Sequence, residues 1–472
     1  MTAPALSRPA VGSRWPALIM LCLVQFMLVL DDTVVSVALP SVRDDLGFSA
    51  AGLAWVVNAY FLAFGGLLLL SGRAADLLGR RRVFLGGVAL FGTASLVCGL
   101  AQEPWQLVAG RFVQGAGAAM ASPAALSLIT LLFPGTEERT RALGIWGGIA
   151  ALGGTLGLVI SGALTGLTSW RWIFLINLPV AVLALALLPR LVAESRATRR
   201  ARPDVPGALL GTGAVMALVY GLLAAGESGW TGTGVLGPLL LAAVLVLAFM
   251  VVESRTVEPL VPLPFLTFRI RAVANVMTLL FSAAFYAMAF LLMVHLQTVL
   301  GYGPLTAGVA YLPYGAGILA GMWLSPRAVA RLGTRRFLVL AFLVSALGLL
   351  LLSGVGPNDG YASGVLPGML VTSLGCGLSL PALAVAAVTG TTGENAGLGS
   401  AVFSSVQQIG GAVGVAVLVA IATRRSTALA DSTDPAHAAT EGFSFALLIA
   451  AALLALAAVL IPALLRDRRP AG

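Results

Sequence analysis

The sequence has few charges, few reactive side chains and no lysine. Charged residues occupy 10% of its 472 positions, against about 25% in a soluble domain, which excludes an ordinary soluble enzyme. The three cysteines, Cys22, Cys98 and Cys376, lie within apolar runs, so a disulfide framework is not indicated. No HExxH, CxxC pair, P-loop or GxSxG motif occurs. We therefore expect a protein without a metal, a cofactor or a catalytic nucleophile.

Apolar residues are abundant and make up 59% of the chain. They gather into fourteen runs, each long enough for a bilayer crossing of about 20 residues. Backbone groups find no hydrogen-bond partner in lipid, and the alternating pattern of barrel strands is absent, so the runs predict helices and an all-α polytopic membrane protein. The fourteen predicted spans are residues 15–39, 53–71, 83–100, 105–131, 142–166, 171–193, 206–225, 234–252, 272–299, 305–326, 337–356, 362–389, 399–422 and 443–465.

The arginines divide unequally between the two sides of these spans. The net charge is +9, but the basic residues are dispersed among apolar runs, which argues against nucleic-acid binding. Of the 28 arginines, 23 fall at the termini and in alternate connections, four fall in the other connections, and Arg111 falls within the fourth span. The positive-inside rule then predicts a multi-pass protein of the cytoplasmic membrane with both termini in the cytoplasm.

Two long basic connections divide the spans into groups of six, two and six. The predicted domains are a six-helix bundle over residues 1–200, two linker helices over 201–255 and a second six-helix bundle over 256–472. The second bundle also echoes the first, because Gly321–Arg336 occupies the same place in it as Gly72–Arg82 in the first. Weak internal repetition of this kind is typical of secondary transporters, whose substrate site lies between the repeats.

Ionisable residues within spans are the candidates for proton coupling, because each costs about 2.5 to 3.5 kcal/mol to insert. Asp31 and Asp32 are adjacent and point about 100° apart on a helix, so they need not share a role. The alternatives are that these acids are hydrated at the outer interface, that Arg111 extends to that interface, and that His295 is a satisfied packing residue. We favour function for Asp31 and a cavity role for Arg111, with Gln114 one turn away. The proton-coupling candidates are Asp31, Asp32, Arg111 and His295.

Several segments, in this order and spacing, resemble one family. The chain is similar over nearly its whole length to the fourteen-helix drug:proton antiporters of the major facilitator superfamily. In the first segment, Asp31 falls on the family's acidic position and Asp32 on a position that is usually Thr. The segments that carry the resemblance are Leu30–Pro40, Trp55–Tyr60, Gly72–Arg82, Arg111–Gly117, Gly153–Gly162 and Trp170–Pro179.

The resemblance implies roles for two of these segments. In the family, the loop between helices two and three forms a conformational latch; its residues here are Gly72, Asp76, Gly79, Arg80 and Arg81. The fifth-helix antiporter motif, which bends the helix, is partly kept in Gly153, Gly157 and Gly162. Here Leu158 stands where the family has Pro, and Ser161 replaces a Gly.

The resemblance implies a monomeric proton-coupled exporter, embedded in the lipid bilayer, of drugs or antibiotics. The acids Asp31 and Asp32 and the aromatic residues predict a lipophilic cationic substrate, taken from the inner leaflet or the cytoplasm. If Arg111 neutralises one acid, neutral or zwitterionic compounds compete. One alternative is a dedicated exporter of a single natural product. A membrane-embedded enzyme is the other, but it requires a polar catalytic cluster that the sequence lacks. The predicted substrate-binding residues are Phe26, Asp32, Gln114, Phe281, Phe285, Tyr286, Gln297, Tyr311, Tyr314 and Gln407.

Overall fold

The computed structural model describes residues 14–195, 204–229, 232–256, 259–262, 265, 268–389, 396–430 and 432–464. Its regular structure in these residues is helical. The predicted domain boundary at residues 200 and 201 lies outside the described residues, as do Arg8, Arg196, Arg199, Arg200, Arg202, Arg466, Arg468 and Arg469. The helices are α1 (Arg14–Leu46), α2 (Ala50–Leu78), α3 (Arg80–Gly99), α4 (Pro104–Leu132), α5 (Thr136–Leu167), α6 (Trp172–Leu175), α7 (Asn177–Leu191), α8 (Val205–Ser228), α9 (Thr233–Arg255), α10 (Arg269–Thr298), α11 (Pro304–Ala310), α12 (Leu312–Ser353), α13 (Leu366–Ala387, preceded by a π-helical turn at Tyr361–Val365), α14 (Ala396–Leu429) and α15 (Pro435–Leu464).

Fourteen crossings follow from these helices. The described residues contain thirteen helical segments that are long and apolar enough to span a bilayer, and one of them, Pro304–Ser353, has 50 residues. At 1.5 Å per residue this segment measures about 75 Å, more than twice the hydrocarbon thickness of roughly 30 Å. It is interrupted within α12 by Gly333, whose backbone is not helical. The segment therefore supplies two crossings, which match the predicted spans 305–326 and 337–356.

Two glycines make equivalent turns in the two halves of the chain. Gly79 separates α2 from α3 with φ 115°, and Gly333 breaks α12 with φ 76°. Only glycine adopts positive φ without steric cost, so each turn depends on this residue type. The turns occupy the same place in the repeated segments that the sequence revealed. We call the end of the bundle that carries Gly79 and Gly333 the basic end, because arginines surround both turns.

The helices form two groups with a pair between them. Helices α1 to α7 pack on one another, as do α10 to α15, and α8 packs along α9. The two groups meet along two seams. In the α2–α14 seam, Gly65 lies against Ser405 and Gln408. In the α5–α12 seam, which includes α11, Gly162 lies against Pro304 at the end opposite the basic end. The space enclosed between these seams is the candidate site.

Candidate functional site

Asp31 lies in α1 at the centre of a buried polar network. Its side chain is fully buried, and three donors from α4 and α7 reach its carboxylate. Arg111 Nη1 donates to Asp31 Oδ2 at 2.5 Å. Gln114 Nε2 and Asn177 Nδ2 donate to Oδ1 at 3.1 and 2.9 Å. Ser95 Oγ in α3 accepts a bond from the same Gln114 amide at 2.8 Å. Four helices are thus joined around one carboxylate.

Arg111 points into this network rather than towards an interface. Its side chain is 1% exposed, which rejects the alternative that it reaches the membrane surface. Arg111 Nε donates to the carbonyl oxygen of Val56 at 3.0 Å, and Nη1 donates to Gln114 Oε1 at 3.0 Å. The guanidinium also lies 4.4 Å from the ring centroid of Tyr60. A buried arginine needs such partners because it does not lose its proton.

Asp32, the neighbouring acid, faces a different environment. It lines a cavity of about 300 Å³ between the two groups of helices, and it is the only charged side chain among the described lining residues. Its Oδ1 atom has no hydrogen-bond partner. The cavity is lined by Asp32, Thr33, Ser36, Val57, Phe61, Gly147, Gly154, Leu158, Phe285, Tyr286, Ala289, Phe290, Met293, Tyr311, Tyr314, Gly315, Ile318, Leu319 and Met322.

Aromatic rings form a continuous part of the cavity wall. Tyr286 lies edge-on to Phe61 at 4.8 Å and to Phe285 at 5.4 Å, both between centroids. Tyr314 stacks on Phe285 at 5.9 Å and contacts Tyr311 at 5.1 Å. The Tyr311 hydroxyl donates to the carbonyl oxygen of Ala289, whereas the Tyr314 hydroxyl has no partner. Such a wall suits a flat or lipophilic molecule, and faces of these rings attract cations.

The structure brings five of the predicted substrate-binding residues together at this wall: Asp32, Phe285, Tyr286, Tyr311 and Tyr314. The other five predicted residues are not part of it. Gln114 belongs to the Asp31 network, and Phe26 packs against Gly153 in α5. Phe281 is buried behind the wall against Phe342.

Three polar candidates also lie away from the wall. Gln297 donates to the carbonyl oxygen of Val37 at 2.8 Å and so joins α10 to α1 across the two groups. Gln407 is not among the lining residues. His295 is buried and stacks on Phe443 at 4.5 Å, and neither ring nitrogen has a hydrogen-bond partner. His295 is therefore a packing residue, as the alternative expected, but its ring lacks the hydrogen bonds that the alternative also expected.

The fifth-helix glycines are contact positions. The backbone of α5 is helical from Thr136 to Leu167. Gly157 lies against Thr33 of α1, and Gly162 lies against Pro304. At Gly153 a Cβ atom would stand 3.3 Å from the carbonyl oxygen of Phe26. These glycines, predicted as bend positions, therefore allow α5 to approach α1 and α11 closely, as small residues do between membrane helices.

The predicted latch residues lie at the basic end. Gly72 lies within α2, and a Cβ atom placed on it would meet no atom within 4 Å. Asp76, near the end of α2, accepts from Nη2 of Arg80, the first residue of α3, at 2.9 Å. The N-terminus of α3 is covered by a different acid, Glu194, which follows α7. Its carboxylate accepts from the backbone N–H groups of Arg81 and Arg82 at 3.2 and 3.1 Å. A carboxylate at this place is favoured by the helix dipole.

Sequence reasoning missed four residues that these contacts identify: Asn177, Ser95, Glu194 and Asp45. Asn177 and Asp45 both bind the Trp170–Pro179 segment to α1, since Trp170 Nε1 donates to Asp45 Oδ2 at 3.0 Å. The available signal was the resemblance of this segment to the family, which assigned no contact to Asn177. Among the described residues, no group of three His, Cys, Asp or Glu side chains is arranged to hold a metal.

Known proteins resemble this chain over almost its entire length. The family model described as Major Facilitator Superfamily matches residues 21–415. The puromycin resistance protein of Streptomyces alboniger is 41% identical, covering 97% of this chain and 93% of the relative. The cephamycin export protein of Amycolatopsis lactamdurans is 38% identical, covering 96% and 94%.

A solved structure shares the architecture. An inward-facing bacterial homologue of the human lysosomal transporter Spinster aligns with a TM-score of 0.69 at 16% identity, and the alignment covers 98% of this chain and 100% of the homologue. At this identity the likeness concerns the fold. The family match covers most of the chain, and the expected membrane helices are present. The chain therefore belongs to the major facilitator superfamily and is a multi-pass membrane transporter of small molecules, not an enzyme.

Proposed function

We propose that this transporter exports lipophilic antibiotics or drugs, with cations preferred, in exchange for protons. The observation that carries the proposal is the placement of Asp32, a single carboxylate in an apolar and aromatic cavity between the two helix groups. A carboxylate without a counter-ion in such surroundings is stabilised by a proton or by a cationic ligand. Binding of one then excludes the other, which is the requirement for antiport.

The relatives support export of antibiotics. Their names concern puromycin resistance and cephamycin export, two different compounds handled by proteins of similar sequence. The cavity of about 300 Å³ is at the lower end of drug-binding pockets, which span roughly 300 to 1,000 Å³. Because each name mentions one compound, a dedicated exporter of a single natural product is the second candidate function.

The proposal gives the two acids, Asp31 and Asp32, different roles. The family resemblance assigns the proton to Asp31, but Asp31 is enclosed by Arg111, Gln114 and Asn177. Protonating it would leave the buried guanidinium without its counter-ion, which is costly. We therefore assign proton and cargo exchange to Asp32. Asp31, through its pair with Arg111, holds the helices that surround the site.

The remaining parts of the proposal follow from charge and composition. The basic end faces the cytoplasm of the cell, the protein acts as a monomer in the cytoplasmic membrane, and the proton gradient replaces any cofactor. The predicted groups 1–200, 201–255 and 256–472 act as two moving bundles and a linker pair. Alternating access then consists of opening the two ends of the cavity in turn.

The test measures dye transport and proton release by Asp32→Asn in proteoliposomes. With a lipophilic cationic dye as the probe, we expect Asp32→Asn to raise the KM by about tenfold or more and to abolish proton release on dye binding. A neutral lipophilic dye should be affected much less. If Asp32→Asn still releases protons on dye binding, the proton carrier is Asp31 or His295 rather than Asp32. Dye transport without any dependence on the pH gradient in the wild type would contradict antiport.

A further inference from the structure

The cavity has unequal walls on its two membrane-facing sides. On the side of the α2–α14 seam, α8 lies over the contact between the groups. Gly66 of α2 fits against Thr212 of α8, and Trp55 contacts Tyr220 at 6.1 Å between ring centroids. Ala208 of α8 belongs to an apolar cluster with Leu69, Leu70, Leu398, Val402 and Val406.

The covered stretch of this seam is long. From Trp55 to Leu70, α2 extends over roughly 23 Å at 1.5 Å per residue, close to the hydrocarbon thickness of about 30 Å. Helix α9 packs on α8 and presents an exposed apolar face that includes Leu240, Val244 and Leu247. Lipid on this side therefore meets α9 and is separated from the cavity by two layers of helix.

The α5–α12 seam is closed only in part. Towards the end opposite the basic end, Gly162 lies against Pro304 and Gly308 lies against Leu158. From Gly154 towards the basic end the contact opens: Cβ atoms placed on Gly144, Gly147 and Gly148 would meet no atom within 4 Å. Gly147 also lines the cavity. Across the gap in α12, the cavity-lining Leu319 and Met322 are 40% and 38% exposed.

We propose that the gap between α5 and α12 is a side entrance through which a bilayer-dissolved amphiphile reaches Asp32, and that α8 and α9 make it the single side entrance by covering the opposite seam. This rests on the proposed function and narrows it to substrates that partition into the leaflet at the basic end. The gap is apolar and carries glycines and flexible side chains, which suits the passage of a lipophilic body. The cationic group of the amphiphile then meets the lone carboxylate.

The entrance is tested first by accessibility from lipid, which needs no transport. In a protein whose three native cysteines, all buried, are replaced by alanine, single cysteines are placed at Met322, Thr212 and Leu247. The probe is a long-chain N-alkyl maleimide dissolved in the vesicle bilayer. We expect Met322→Cys to react within about threefold of the lipid-facing Leu247→Cys, and Thr212→Cys at least about tenfold more slowly. Equal slow reaction at Met322 and Thr212 overturns the entrance, and fast reaction at Thr212 overturns the covering role of α8.

The second test narrows the gap. Gly144→Trp, at the gap but outside the cavity lining, should raise the KM for a lipophilic cationic dye by about fivefold or more and leave the KM for a water-soluble cationic dye unchanged. The matched control is Gly237→Trp in α9, where a Cβ also meets no atom within 4 Å; it should behave as wild type. An unchanged KM for the lipophilic dye in Gly144→Trp overturns the entrance. A wild-type protein that moves neither dye refutes the proposed function, while the maleimide result still decides the entrance.

Discussion

At the scale of single residues, two adjacent carboxylates have opposite surroundings. Asp31 accepts bonds from Arg111, Gln114 and Asn177, whereas Oδ1 of Asp32 has no partner. Successive side chains on a helix point about 100° apart, so one faces the interior of the first helix group and the other faces the cavity. Removing the negative charge should therefore destabilise the protein at Asp31 but not at Asp32.

We predict that Asp31→Asn lowers the free energy of unfolding by about 3 to 5 kcal/mol, because it leaves Arg111 buried without a counter-ion. The double variant Asp31→Asn with Arg111→Gln should recover most of that loss, since no buried charge then remains. Asp32→Asn, the matched control, should leave stability unchanged or raise it. Thermal unfolding of the purified protein in detergent measures all three. An Asp31→Asn protein as stable as the wild type would show that the pair contributes little.

The site shows where sequence reasoning reaches its limit. Asp31 and Arg111 were found because a charge inside a span needs a reason. Asn177 was missed because its bond to Asp31 joins positions 146 residues apart. An amide within an apolar run also does not indicate which group it will bind. Phe281 and Phe285 share a helix face by spacing, yet only Phe285 reaches the cavity. Depth along a helix is set by packing of the other helices and is not readable from periodicity.

At the scale of the elements, two contacts between helix termini hold the first helix group together at the basic end. The α2–α3 turn combines a local pair, Asp76 with Arg80, and a distant contact in which Glu194 covers the N-terminus of α3. The local pair is exposed, with 45% of the Asp76 side chain accessible, so it contributes little to stability. Glu194 is more enclosed and faces several backbone donors.

We predict that stability and turnover separate at this turn. Glu194→Gln should lower the free energy of unfolding by about 1 kcal/mol, through loss of charge at the helix N-terminus. Asp76→Asn should change it by less than about 0.5 kcal/mol, yet slow transport while dye affinity stays near wild type, as the latch role implied by the family requires. Thermal unfolding and dye flux are measured on the same preparations. Unchanged flux in Asp76→Asn argues against the latch.

Most element positions could be predicted because a membrane span is defined by length and apolarity, two properties of the sequence itself. The ends were less accurate. The first span was predicted to stop at residue 39, but α1 continues through Pro40 to Leu46. The helix of the sixth span is broken after Leu175 before it resumes at Asn177. Hydropathy registers neither the tertiary contacts at the end of α1, such as the bond from Trp170 to Asp45, nor a break inside an apolar run.

At the scale of the whole molecule, the proposed orientation makes a direct prediction. With the basic end in the cytoplasm, a cysteine at Ser432, between α14 and α15, should react with a membrane-impermeant maleimide added to intact cells. A cysteine at Thr198, in the basic connection outside the described residues, should react only after the membrane is permeabilised. Both variants are made in the cysteine-free background. Reversed reactivity would invert the topology, and reaction of both in intact cells would remove a crossing between them.

The paired turns at Gly79 and Gly333 are alike in backbone but not in charge. When the two glycines are aligned, the first segment shares five more residues with the second, namely Arg73, Ala74, Leu78, Arg81 and Arg82, whereas Asp76 corresponds to Ala330 and Arg80 to Thr334. The acid thus stands in one segment only, whereas the glycine that the positive φ requires stands in both. The two halves therefore share the turn and three of its arginines, but a charge pair across the turn is possible in the first half alone.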